Sequence, residues 1–120
     1  MVPLNVSGAW HSALMEPAIE RFSKAVEGGN FAMPTFDVIS NVDAKPYRDV
    51  ATIKKNLVLS ITHEVRWHDT AQALVAEKLD QVVEFGASAV LGPLMKRIEG
   101  APSVSVVSDA AGIEKLKVHA

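Results

Sequence analysis

Gly8-Ala9-Trp10-His11-Ser12-Ala13-Leu14-Met15 joins a short apolar run, Val2 to Ser7, to the opening of an amphipathic helix. The run suits a strand, and Gly8 permits the close bend that follows it. Beyond the bend, Leu14, Met15, Ala18, Ile19, Phe22, Ala25 and Val26 recur at helical spacing, and Glu16, Glu20, Arg21, Ser23, Lys24 and Glu27 fill the opposite face. Pro17 has no amide hydrogen, so the regular helix is predicted to begin near Glu16, with a tighter first turn over Ser12 to Met15. Glu20 and Lys24 form a favourable i, i+4 pair, and Gly28-Gly29 is expected to end the helix in a left-handed cap. Strand, bend and helix in that order set the expectation of an α/β chain.

The remaining chain repeats the alternation. Asp37 to Ser40 reads as a strand closed by Asn41 and Asp43. Asp49 is placed to cap a helix with Val50, Ile53, Leu57 and Ile61 inward and Lys54 and Lys55 outward. A helix from about Trp67 to Leu79 buries Trp67, Ala71, Leu74 and Val75. Val82 to Phe85 forms a strand ended by Gly86, and a helix over about Ser88 to Glu99 is bent or delayed by Gly92-Pro93. Val104 to Val107 is a last strand, and Asp109 caps a terminal helix. Helices alternating with short apolar strands predict a parallel sheet within one α/β segment, residues 1–120.

Composition narrows the function classes. The chain has 120 residues, 48% of them hydrophobic and 22% charged, as globular domains do. A formal net charge of −2 gives no basic field for nonspecific nucleic-acid binding. With no cysteine, disulfides, thiolate metal sites and a cysteine nucleophile are excluded. No apolar run approaches the ~20 residues of a membrane span, and no signal-type segment opens the sequence, so a cytoplasmic location is expected.

Among candidate chemical groups, His11 stands out because it sits between a strand end and a helix start, where loops present functional side chains. A histidine beside a tryptophan is more often a packed, hydrogen-bonded residue than a catalyst, and spacing alone leaves both readings open. His63 and His68 are five apart, off the spacing that sets two ligands on one helix face, so no metal site is expected. Each has an acidic neighbour that can pair with it. Glu84, a single carboxylate at a strand end, is expected to make a local hydrogen bond. Lys96-Arg97 suits either a solvated helix end or an acidic partner.

Asn5-Val6-Ser7-Gly8-Ala9-Trp10-His11-Ser12-Ala13-Leu14-Met15 resembles the G-x-F-H-S-x-L-M segment of the malonyl-CoA:acyl carrier protein transacylases. Further blocks follow in the family's order: Val38-Ile39-Ser40-Asn41-Val42-Asp43-Ala44 (P-V-x-S-N-V-x-A), Val65-Arg66-Trp67 (P-V-x-W), Val83-Glu84-Phe85-Gly86 (E-x-G) and Leu94-Met95-Lys96-Arg97-Ile98 (L-x-K-R-I). The blocks match only the C-terminal portion of such an enzyme, an α/β-hydrolase-like acyltransferase domain.

The resemblance implies that His11 is the catalytic base, that the backbone carbonyl of Ser60 orients it, and that Lys96 and Arg97 contact the carrier protein. Glu64 stands where the family has proline, and Gly86-Ala87-Ser88 departs from the family's G-P-G or G-P-H. Trp10 precedes the base where malonyl-selective relatives carry phenylalanine and methylmalonyl-selective ones serine, which implies a part in acyl selectivity. No bound cofactor is implied; malonyl-CoA is the substrate, and the acyl group passes through an acyl-serine to carrier-protein phosphopantetheine in fatty acid or polyketide synthesis. The nucleophile belongs to a G-H-S-x-G elbow, and no Gly-x-Ser-x-Gly occurs here. The resemblance therefore predicts an inactive isolated chain whose partner is the missing N-terminal half or a separate polypeptide. The alternative is a noncatalytic α/β interaction module that retains the acyltransferase fold.

Overall fold

A computed structural model describes residues 6–116, which divide into two compact units, 6–70 and 71–116. The predicted strand Val2 to Ser7 falls mostly outside the described residues, and Val6 and Ser7 are not in a strand.

In the first unit, a 3₁₀ helix, Ala13–Ala18, leads into α1, Ile19–Gly28. The regular helix thus starts three residues later than Pro17 alone suggested. Pro17 cannot donate, and Ile19 N–H bonds the Glu16 carbonyl, so the tight winding persists to Ala18. The apolar face of this segment is also less covered than its periodicity implied: Val26 is buried, whereas Leu14 is 79% exposed. The C-terminus of α1 departs from the expected left-handed glycine cap. Gly29 is extended, with φ −75° and ψ 144°. Lys54 instead reaches across from α2, Val50–Leu59, and its ammonium donates to the carbonyls of Glu27 (3.0 Å) and Gly29 (3.1 Å). The same ammonium lies 5.2 Å from the centre of the Phe31 ring. Lys54 was expected to point outward; a cation at a helix C-terminus satisfies carbonyls that no backbone donor reaches. Gly29 is needed for a different reason, since a Cβ there would stand 2.7 Å from Phe31 Cε2.

Asp49 caps α2 as its sequence position predicts, accepting Thr52 N–H at 2.6 Å. Two backbone hydrogen bonds hold its carboxyl below the usual range, chiefly that from Thr52 N–H, with the Thr52 hydroxyl adding to it. The strand predicted over Asp37 to Ser40 is absent. Only an isolated antiparallel bridge, Ile39 to Pro46, forms there, and the chain turns back on itself through 41–45. The unit division falls within α3, Trp67–Ala76, which begins where predicted, stops short of Leu79, and of its predicted inner positions fully buries Ala71 alone.

The second unit holds the sheet. Strands β1, Gln81–Phe85, and β2, Ser103–Val107, pair in parallel with Gln81 opposite Ser103 and Phe85 opposite Val107. A parallel pair needs a crossover, and α4, Leu91–Met95, lies in it. This helix is far shorter than the predicted 88–99. Pro93 can donate no hydrogen bond and so sits in the first turn, and the last turns tighten, with Arg97 N–H bonding Leu94 O and Ile98 N–H bonding Met95 O. Met95, Val107, Ala71 and Gly92 are buried in the unit, as is Glu84. A Cβ at Gly92 would meet Glu84 Oε2 at 3.3 Å and Val104 Cγ1 at 3.4 Å, so the start of α4 lies close against the strands. Asp109 caps α5, Ala110–Lys115, through Gly112 N–H at 2.7 Å. Among the described residues no helix is long and apolar enough to cross a membrane.

Candidate active site

The bend at Gly8 to Ser12 is built to hold one side chain. His11 has φ 59°, a left-handed conformation that side chains other than glycine seldom adopt. Ser12 clasps the turn, its hydroxyl donating to the Ala9 carbonyl at 2.7 Å, and its own carbonyl accepts Met15 N–H to begin the 3₁₀ helix. Turned out in this way, the His11 ring meets the C-terminal end of α2. Its Nδ1 lies 2.6 Å from the carbonyl oxygen of Ser60. A carbonyl can only accept, so Nδ1 donates, and in the neutral ring Nε2 keeps its lone pair. The side chain is exposed, and the bond to Ser60 fixes the orientation of its ring.

The structure thus joins His11 and Ser60, 49 positions apart, through the carbonyl and not the hydroxyl. Ser60 Oγ turns back to the Leu57 carbonyl at 2.7 Å. Trp10 is 58% exposed, and its ring lies so close over Gly8 that a Cβ there would stand 3.1 Å from Trp10 Cε2. Lys96 and Arg97 are exposed at the end of α4 in the second unit. His63 bonds the Leu59 carbonyl at 2.9 Å, a partner one turn back and not the acidic neighbour. Among the described residues no cluster of metal-ligating side chains occurs.

Two polar devices were not visible in full from the sequence. Glu84, 8% exposed, accepts the N–H groups of Val90 (2.8 Å), Leu91 (2.7 Å) and Gly92 (2.8 Å), which caps α4 from the adjoining strand. The bonds from Leu91, Val90 and Gly92, in that order, hold its carboxyl below the ordinary 4.5. The second device surrounds Asp43. Burial pushes its carboxyl up, but hydrogen bonds from the Ser40 hydroxyl, Lys45 N–H and the Asn56 amide outweigh that and hold it low. Spacing signals local caps; these partners come together only after the chain folds.

The bend ahead of the 3₁₀ helix thus holds a histidine against a backbone carbonyl, on a chain of α/β type. No protein-family model matches the chain. It is 34% identical over 113 residues to the malonyl CoA-acyl carrier protein transacylase of Bacillus subtilis, a match covering 94% of this chain and 36% of that protein. An acyl carrier protein S-malonyltransferase from Vibrio cholerae superposes with a TM-score of 0.86 at 33% identity, covering 97% of this chain and 38% of the other. A malonyl-transacylase solved in complex with its type II PKS acyl-carrier protein gives a TM-score of 0.84 at 35% identity, covering 94% of this chain and 37% of the other. Along nearly its whole length the chain is similar to malonyl-CoA:acyl carrier protein transacylases, in keeping with their C-terminal portion. It spans little more than a third of the length of the relatives it matches.

Proposed function

We propose that residues 1–120 form one segment of an acyltransferase domain and supply the base of a malonyl-CoA:acyl carrier protein transacylase, acting in the cytoplasm in fatty acid or polyketide synthesis. The observation that carries this reading is the 2.6 Å bond from His11 Nδ1 to the Ser60 carbonyl, which leaves Nε2 ready to accept a proton. A serine hydroxyl is a poor nucleophile at neutral pH and needs such a base. As the serine oxygen attacks the malonyl thioester carbonyl, Nε2 takes the hydroxyl proton. Collapse breaks the carbon–sulfur bond, and the imidazolium returns that proton to the departing coenzyme A thiolate. In the second half, Nε2 takes the proton of the carrier's phosphopantetheine thiol as its sulfur attacks the acyl-serine, then returns it to the serine oxygen.

The serine and its oxyanion donors come from outside this chain, so the chain alone is inactive. Lys96 and Arg97, two exposed cations at one helix end, suit an acidic carrier surface. The relative solved with its acyl-carrier protein supports a carrier partner. The reading is tested by joining this chain to a polypeptide that carries Gly-His-Ser-x-Gly and measuring malonyl transfer from malonyl-CoA to a holo carrier protein. His11→Ala is expected to lower kcat/KM by about 10²- to 10⁴-fold, the usual worth of a positioned general base. Undiminished transfer by His11→Ala, or no transfer with any such polypeptide, would favour a noncatalytic interaction module.

A further inference from the structure

We infer that Asn56 is a positioning residue for His11, acting through a buried polar lock that fixes the carbonyl of Ser60; the inference rests on reading His11 as the base. Asn56 is 5% exposed in the middle of α2, where an aliphatic side chain would serve burial better. Its amide donates to the Ser40 hydroxyl oxygen at 3.0 Å and reaches Asp43 Oδ2 at 3.4 Å. Ser40 is 1% exposed and belongs to a turn closed from both sides: its N–H bonds Lys45 O and its carbonyl accepts Ala44 N–H, each at 2.9 Å. Its hydroxyl oxygen also accepts Val42 N–H at 3.1 Å. The 40–45 turn is therefore a stiff anchor, and Asn56 ties α2 to it.

The same turn grips the chain again beyond the helix. The carbonyl of Asn41 accepts Arg66 N–H at 2.9 Å. Ser60 lies between these two attachment points, and its own N–H bonds the Asn56 carbonyl at 2.9 Å. The path from anchor to base is thus Ser40 to Asn56, Asn56 to Ser60, and Ser60 to His11. Each link is a directional bond that weakens steeply with a shift of a few tenths of an ångström. An apolar residue at 56 could bury area, but it would let α2 slide along its axis and carry the Ser60 carbonyl out of register with His11. Directional placement is what a satisfied buried amide adds over packing.

The test reads the His11 ring itself in the full chain, by nitrogen NMR of labelled histidine. The unsubstituted protein is expected to show Nδ1 of His11 protonated. In Asn56→Ala, and separately in Ser40→Ala, which keeps the Asn56 side chain and carries the test where Asn56→Ala does not fold, His11 is expected to lose that signature for the mixture of a solvated imidazole. His63 should keep its own, because its Leu59 acceptor sits on the same turn and moves with it. Val26→Ala, a cavity in the buried core that removes none of the lock's hydrogen bonds, should lower Tm and leave His11 unchanged. The inference is overturned if His11 stays Nδ1-protonated in the folded lock variants, if His63 loses its signature together with His11, or if Val26→Ala moves His11 as much. The readout needs no acyl transfer. A tautomer that responds as expected, beside transfer indifferent to His11→Ala, would leave the lock standing and remove the base.

Discussion

His11 occupies a backbone region that costs a side chain on the order of 1–3 kcal/mol, and its turn is held there by the Ser12 clasp and the bond to Ser60. Such strain is characteristic of residues whose direction matters more than their comfort. Its neighbour Trp10 is different: more than half exposed, it contributes little to the packing of this chain, so replacing it should change stability by only about 0.5 kcal/mol. We propose that its indole crowds the space an α-methyl branch would occupy. In the reconstituted enzyme Trp10→Ser is expected to raise the ratio of methylmalonyl to malonyl transfer by about 10- to 200-fold, the worth of one methyl misfit, as measured by competition between the two thioesters. An equal loss with both substrates would assign Trp10 to packing alone.

Among the elements, α4 depends on one carboxylate. Glu84 accepts three amides, and Glu84→Gln would turn an amide nitrogen toward donors that need an acceptor. Its folded-state carboxyl lies below the ordinary 4.5, so its stabilisation is fully present above pH 4.5 and is lost as the pH falls through the lower folded value. Glu84→Gln is expected to lower Tm at neutral pH and to flatten the acid limb of a Tm-against-pH profile; an unchanged acid limb would show that the cap contributes nothing. Which caps were legible follows from sequence distance. Asp49 and Asp109 bond amides three residues on, and their positions announce them. Lys54 reaches carbonyls 25 and 27 positions away, and nothing local distinguishes it from Lys55. The strand predicted at Asp37 to Ser40 had the right residue types, but a strand exists only through its pairing, and there the pairing is a single bridge. The link of His11 to Ser60 was reached through the family resemblance and not from spacing, because 49 positions separate them.

At the scale of the whole chain, we propose that the two units belong to a larger domain. A two-stranded parallel sheet is marginal by itself, and exposed Phe22 lines a groove of about 580 Å³ with Pro17, Ala18, Arg21 and Ala25. The chain alone is expected to bind a hydrophobic dye and to self-associate, as read by fluorescence and by sizing across a dilution series; a dye-silent, dilution-stable monomer would describe a self-sufficient domain. Ser12, the serine nearest the base, has its hydroxyl committed to Ala9, and no Gly-x-Ser-x-Gly elbow is present. The central claim, a base whose nucleophile lies on other residues, is tested most directly by intact mass after incubation with labelled malonyl-CoA. The account predicts no adduct on this chain alone and, once a polypeptide bearing Gly-His-Ser-x-Gly is added, one malonyl group on that polypeptide. A stoichiometric malonyl adduct on this chain by itself would contradict it.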